Sequence, residues 1–252
     1  MSKLAMITGA TSGIGLGCAE RFAAGGWNLI ITGRREDRLE KIRARIQANY
    51  TVEIISLCFD VRDKSQVDNA LLSLEPQWHA IDVLVNNAGL AVGMNPIHEG
   101  IVDDWERMID TNVKGLLYVS RVVLPWMVER KQGHVINIGS IAGKEVYPNG
   151  NVYCASKFAV DALTKGMRMD LVTHGIKVSQ IAPGAVNTEF SLVRFKGDQE
   201  RADGVYTGFE PLNGSDVAEV IWYVANVPGH MNIHDLVLSP AAQASATLTY
   251  KK

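Results

Sequence analysis

The stretch Thr8-Gly9-Ala10-Thr11-Ser12-Gly13-Ile14-Gly15 follows a short apolar run, Leu4 to Thr8, and leads directly into a segment of helical periodicity, Ile14 to Ala24. Glycines at such a junction permit a tight turn and let a pyrophosphate approach backbone N–H groups at a helix N-terminus, where the helix dipole favours negative charge. The spacing is GxxxGxG rather than GxGxxG. A glycine cluster alone marks only a turn, but its position at the first strand-to-helix junction points to a dinucleotide. Gly9, Thr11, Ser12, Gly13, Ile14 and Gly15 are therefore candidate cofactor contacts.

Working outward, further short β-branched runs follow: Leu29 to Thr32, Val52 to Cys58, Val83 to Val85, Val135 to Ile138, Val178 to Ile181 and Leu236 to Leu238. They read as strands buried on both faces. Between them lie helical patterns at Arg35 to Asn49, Ser65 to Leu74, Asp103 to Arg130, Tyr153 to Thr173 and Ser215 to Asn226. This alternation predicts an α/β fold: a doubly wound parallel sheet of about seven strands with helices on both faces. No repeat or linker divides residues 1–252, so a single domain is expected. Only the stretch 187–213, polar and Gly-containing, breaks the rhythm; it reads as a lid or a small helical insertion that moves.

Composition narrows the partners. With 25 Lys+Arg against 27 Asp+Glu the formal charge is −2, and no block of like charges suggests nucleic acid or a membrane surface. No apolar stretch is long enough for a membrane span, and the first residues do not form a signal peptide. Three scattered cysteines, Cys18, Cys58 and Cys154, suit a reducing, cytoplasmic setting.

The second run ends in Thr32-Gly33-Arg34-Arg35. Where NAD-binding folds carry an acid for the ribose 2′-hydroxyl, this chain has two arginines, which suit a 2′-phosphate and predict NADP(H). Asp60 and Val61, after the third run, are placed to meet the adenine. Tyr153 and Lys157 stand one helical turn apart, so they share a face; Ser140 and Asn87 close two strands at the carboxyl edge where such sheets bind ligands. Asn112 lies inside a helical pattern that does not favour it unless its side chain is used. A cation beside a phenol is what a tyrosinate needs to act near neutral pH.

The combined pattern of TGxxxGxG, Asn86-Asn87-Ala88-Gly89, Asn112, Ser140, Tyr153xxxLys157 and Pro183-Gly184 resembles the short-chain dehydrogenase/reductase family over nearly the whole chain, and implies a Rossmann-type fold. The resemblance implies that Tyr153 exchanges a proton with the substrate oxygen. Lys157 would lower the tyrosine's pKa and hold the nicotinamide ribose, Ser140 would hydrogen-bond the substrate oxygen, and Asn112 would fix a water. Asn87, Ala88 and Gly89 would pack beside the adenosine ribose, while Pro183, Gly184, Val186 and Thr188 would position the nicotinamide.

Within the family the chain is most similar to NADP-dependent 3-hydroxy acid dehydrogenases, on the segments Gly143 to Val152, Thr188 to Asp198 and Pro228 to Gln243. That implies interconversion of a small 3-hydroxy acid, such as serine, allo-threonine or 3-hydroxypropionate, with its carbonyl form. A 3-ketoacyl, sugar or aldehyde reductase, or a non-catalytic NADP sensor, is the alternative. An anionic substrate needs a cation, for which Arg194 is the first candidate and Lys144 the second, with Tyr147 and Phe190 as pocket walls. His230 and His234 lack a third ligand, so no metal site is expected. Trp105, Met108, Ile109, Leu116, Leu117, Val123 and Trp126 exceed one sheet-facing stripe, and family analogy then implies a homotetramer.

Overall fold

The computed structural model describes residues 2–252. Seven parallel strands form one sheet: β1 (Leu4–Ile7), β2 (Asn28–Gly33), β3 (Ile54–Cys58), β4 (Val83–Asn86), β5 (Gly133–Ile138), β6 (Ile176–Pro183) and β7 (Asp235–Leu238), in the order β3-β2-β1-β4-β5-β6-β7. The helices are α1 (Gly13–Ala24), α2 (Glu36–Asn49), α3 (Lys64–Leu72), α4 (Val102–Ile109), α5 (Leu116–Arg130), α6 (Asn151–Leu171), α7 (Glu189–Arg194), α8 (Gln199–Gly204) and α9 (Gly214–Asn226). This is the expected doubly wound α/β arrangement.

Side-chain alternation along the strands explains the two layers. Ala5, Ile7, Leu29, Ile31, Val83 and Val85 point to one face and pack with Phe22 of α1, Leu39 and Ile42 of α2 and Val217 and Ile221 of α9. Their neighbours Leu4, Met6, Ile30, Leu84 and Val135 point to the other face, against Val67 of α3 and Val119, Val123 and Met127 of α5. Strands covered on both sides have no polar face to show, and so they read as continuous apolar runs.

Two sequence expectations need correcting. The edge strands β3 and β7 are only partly covered; Val237 of β7 is 55% exposed, because among the described residues no eighth strand or helix closes that edge. The predicted helix Asp103 to Arg130 is interrupted by a π-helical turn, Asp110–Gly115, between α4 and α5. Moreover, the apolar surplus on this segment is largely consumed within the subunit. Met108, Leu116 and Val123 are buried, and Trp126 stacks on His79 with centroids 4.1 Å apart, leaving Leu117 as the exposed large side chain of that group. The stretch 187–213 contains α7 and α8, the insertion rather than a bare loop. Among the described residues, no helix is long and apolar enough to cross a membrane.

Candidate active site

The strand order reverses between β1 and β4, whose connections leave in opposite directions, and ligands of such sheets bind at the carboxyl ends beside that point. Here a cleft of about 660 Å³ opens along the carboxyl ends of the strands. Of the site residues expected from sequence, all line it except Gly15, Asn112 and Lys144, which stand outside.

Its floor is the glycine turn. Gly9 (φ +67°) and Gly13 (φ +56°) adopt the left-handed backbone that favours glycine. A Cβ on Gly15 would come within 2.3 Å of the Gly9 carbonyl oxygen, so Gly15 lets the turn close rather than touching a ligand. Asn87 fastens the turn to β4: its Nδ2 donates to the carbonyls of Thr8 (2.8 Å) and Gly9 (3.1 Å). The Thr8 hydroxyl, unremarked in the sequence, accepts from the backbone N–H groups of Asn87 and Ala88, each at 3.0 Å. Bare backbone at the N-terminus of α1 fits a pyrophosphate.

Beyond the turn lie the arginines. Arg35 donates to Thr11 Oγ1 (2.6 Å), Ser12 Oγ (3.0 Å) and, on its other Nη, to Glu189 (2.7 Å). Arg34 is more exposed and stands 3.6 Å from Asp60. Asp60 is itself gripped by Arg62 through Nε (2.9 Å) and Nη2 (2.7 Å), a partner the sequence reading missed. Burial pushes the Asp60 pKa up, but the Arg62 hydrogen bonds and charge, helped by Arg34, hold it below the usual carboxylate range.

Opposite stands the tyrosine. α6 presents Tyr153, Ser156 and Lys157 on one buried face, as the one-turn spacing requires. Ser140, N-capping the turn after β5, has its hydroxyl beside the Tyr153 phenol; it also accepts from Ala142 N at 3.1 Å. Lys157 Nζ donates to the Ile138 carbonyl at 2.9 Å.

The electrostatics depart from expectation. Burial raises the Tyr153 pKa strongly, and the leading cation opposing it is Arg194, with Ser140 assisting. Lys157 is instead lowered to about 8, because burial penalises its ammonium. The Arg194 guanidinium lies 5.0 Å from the Tyr153 ring centroid, 5.1 Å from Phe190 and 5.9 Å from Tyr147, and donates to the Tyr147 hydroxyl at 3.0 Å. Phe190 meets Tyr153 edge to face at 5.6 Å. Two contacts hold the end of α7 here: Gly93 N donates to Arg194 O (3.0 Å), and Lys196 Nζ meets the buried Asp104 carboxylate (2.8 Å).

One further correction follows. Lys144 is no substrate anchor: Asp161 and Asp235 both hold its amine, outside the cleft. The Asn112 side chain is engaged within the protein. Its Oδ1 accepts from Leu90 N (2.8 Å), and its Nδ2 donates to Leu90 O (2.8 Å) and Ser156 Oγ (2.9 Å), so both of its N–H groups are used. No local pattern announced Ser156 or Glu189, because their partners are distant in sequence.

Comparison with known proteins agrees with this geometry. The short chain dehydrogenase family matches residues 3–198. The chain is 45% identical to the NADP-dependent 3-hydroxy acid dehydrogenase YdfG of Escherichia coli (strain K12), covering 97% of this chain and 98% of that one. It is 43% identical to sulfoacetaldehyde reductase 2 of Chromohalobacter salexigens, over 97% and 96%. Among solved structures, the closed form of serine dehydrogenase complexed with NADP+ superposes with a TM-score of 0.92 at 45% identity, covering 99% of both chains. With its glycine turn, tyrosine and lysine set along a cleft in this sheet, the chain belongs to the short-chain dehydrogenase family.

Proposed function

We propose that the protein is an NADP(H)-dependent oxidoreductase that interconverts a small anionic 3-hydroxy acid and its carbonyl form. The observation carrying this reading is the Arg194 guanidinium held among three aromatic rings beside Tyr153, in the cleft floored by the glycine turn. An anion that pairs with Arg194 brings a carbonyl two or three bonds away within reach of Tyr153 and Ser140.

The residues suit the cofactor: Gly9 and Gly13 leave the backbone bare where a pyrophosphate would lie, and Arg34 and Arg35 stand where a 2′-phosphate would project. When bound, the nicotinamide supplies or accepts the hydride. Ser140 Oγ and Tyr153 Oη donate hydrogen bonds to the substrate oxygen and orient the carbonyl. In reduction Tyr153 passes its phenolic proton to that oxygen; in oxidation the tyrosinate takes the proton back, with Arg194 and Lys157 as the nearby cations. Asn87, Ala88 and Gly89 would border the adenosine ribose, Asp60 and Val61 the adenine, and Pro183, Gly184, Val186 and Thr188 the nicotinamide. Asn112 acts by anchoring the loop at Leu90 to α6.

We take 187–213 as a mobile lid, in keeping with the many partly exposed residues of α7 and α8. A homotetramer follows from the family resemblance and is compatible with the open edge of β7; a cytoplasmic setting suits the three free cysteines.

The test is NADPH absorbance followed against short semialdehydes, a sulfonated aldehyde and neutral ketones, with 3-hydroxy acids and NADP+ in reverse. Turnover of anionic substrates should exceed that of neutral ones. Tyr153→Phe should cut turnover by two orders of magnitude or more and leave NADPH affinity nearly intact. Arg194→Ala should raise KM for the anionic substrates about tenfold or more, with neutral ketones little affected; an equal effect on both classes would remove Arg194 as the anchor.

A further inference from the structure

The Glu189 carboxylate is engaged where the proposed function needs an open arginine. It accepts from Arg35 Nη1 at 2.7 Å and from Arg38 Nη1 at 2.5 Å, joining α7 to α2 across the mouth of the cofactor cleft. The rest of the Arg35 guanidinium is laid on the glycine turn, with Nε and Nη2 on Thr11 Oγ1 and Nη2 also on Ser12 Oγ. Arg35 therefore has one outward N–H edge, and Glu189 holds it.

We propose that Glu189 is an internal competitor for the cofactor's 2′-phosphate: it is a built-in anion occupying the place on Arg35 that a ribose 2′-phosphate takes, so that a 2′-phosphorylated dinucleotide binds by displacing it and at a cost in affinity. The inference rests on the reading of Arg35 as a phosphate contact and adds to it. Three observations support it. First, Glu189 is set by its own helix end: Thr188 caps α7 by accepting from Phe190 N at 3.2 Å and packs on the glycine turn, where a Cβ on Gly13 would lie 3.0 Å from Thr188 Cγ2. Second, the pair is displaceable. Its side chains are 38–40% exposed, and exposed ion pairs are weak, whereas a phosphate brings more charge and three acceptor oxygens to the same donors. Third, a ribose hydroxyl has no charge with which to compete, so an unphosphorylated dinucleotide leaves Glu189 in place.

A consequence reaches the substrate. α7 has six residues, about 9 Å of rise, with Glu189 at its start and Arg194 at its end. Release of Glu189 unties the cofactor end of the helix that carries the substrate-side arginine, so the identity of the dinucleotide bears on how α7 is held.

The experiment is calorimetric titration of the full-length protein and its variants with NADP+, NAD+ and the fragments adenosine 2′,5′-bisphosphate and ADP. Glu189→Gln keeps the size and removes the charge. It should tighten NADP+ and the 2′-phosphorylated fragment about three- to tenfold, while NAD+ and ADP change less than twofold. In an Arg35→Ala background the same gain should shrink below twofold, because the competitor and its site are then both absent. Unchanged or weakened NADP+ binding in Glu189→Gln would overturn the proposal. Failure of Arg35→Ala to weaken NADP+ relative to NAD+ would instead overturn the reading of Arg35 itself, so the two failures are told apart.

Discussion

At Tyr153, burial works against ionisation, and this divides the two directions of the reaction. A phenol raised above its usual value by desolvation is fully protonated through the neutral range, so it is a loaded acid for reduction and an empty base for oxidation. Oxidation of a 3-hydroxy acid should therefore climb steadily from pH 7 to 9, while reduction stays level up to about pH 7 and declines through pH 8, where Lys157 is half deprotonated. Parallel profiles for the two directions would count against this assignment. Lys157 also has a cost. Its pKa falls from the ordinary 10.5 to about 8 on folding, so between those values the unfolded chain binds more protons and stability rises with pH. Below pH 8 the buried ammonium is a net penalty. Lys157→Met should make the cofactor-free protein about 1–2 kcal/mol more stable at pH 7, even with the bond to Ile138 lost, and should abolish turnover. The urea midpoint at unchanged slope measures this; a lower midpoint would mean that the amine is better compensated than its surroundings imply.

At the scale of elements, the π-helical turn Asp110–Gly115 shows how one backbone irregularity serves the site: Thr111 lines the cleft, and Asn112 works behind it. The wider turn brings Asn112 inward, where it clamps both backbone polar groups of Leu90 and the Ser156 hydroxyl, and so holds the loop after β4 against α6 beside Tyr153. Asn112→Ala would leave both Leu90 backbone groups buried without these partners, and the Ser156 hydroxyl with only its bond to the Tyr153 carbonyl (2.7 Å). We expect a loss of about 2–4 kcal/mol, read by denaturant unfolding, together with lower turnover as Tyr153 loses its support. A loss below about 0.5 kcal/mol would show that the Leu90 loop finds other partners. The clamp also explains why an asparagine stands where helical propensity disfavours one.

Across the whole molecule, the ends of the strands opposite the cleft carry a different polar group. His134 of β5 is buried, its Nε2 bonded to Ser179 Oγ at 2.7 Å and its Nδ1 without a partner; Ser179 in turn donates to Asn232. Desolvation, with a smaller contribution from the charge of Lys177, lowers its pKa from 6.5 to about 3. The folded state thus refuses a proton that the unfolded chain accepts below pH 6.5, and stability falls as pH falls. The loss should approach about 1.4 kcal/mol per pH unit below pH 6. Between pH 6.5 and 5, above the range where the paired carboxylates titrate, the wild type should destabilise while His134→Gln stays flat. Identical slopes in thermal melts of the two proteins would refute this. Cofactor acts in the opposite sense, through mass action: NADP+ at about 100 times its Kd should stabilise the fold by about 2.7 kcal/mol.

The parts of this protein that the sequence by itself determined are those governed by local periodicity and backbone freedom. Apolar runs of strand length marked all seven strands, and their alternation with helical patterns implied a parallel sheet. Glycines at Gly9 and Gly13 implied the turn, and the one-turn spacing of Tyr153 and Lys157 put them on one face. Tertiary structure decided which charges meet. Glu189 reaches Arg35 across 154 residues and Asn112 reaches Ser156 across 44. Lys144 is drawn out of the cleft by Asp161 and Asp235, and the cation facing Tyr153 comes from α7 rather than from its own helix. Periodicity fixes which face of an element is apolar, since burial depends on neighbours a few residues away. The sign and size of an electrostatic interaction depend on distance and solvent exposure, which only the packing of separate elements sets.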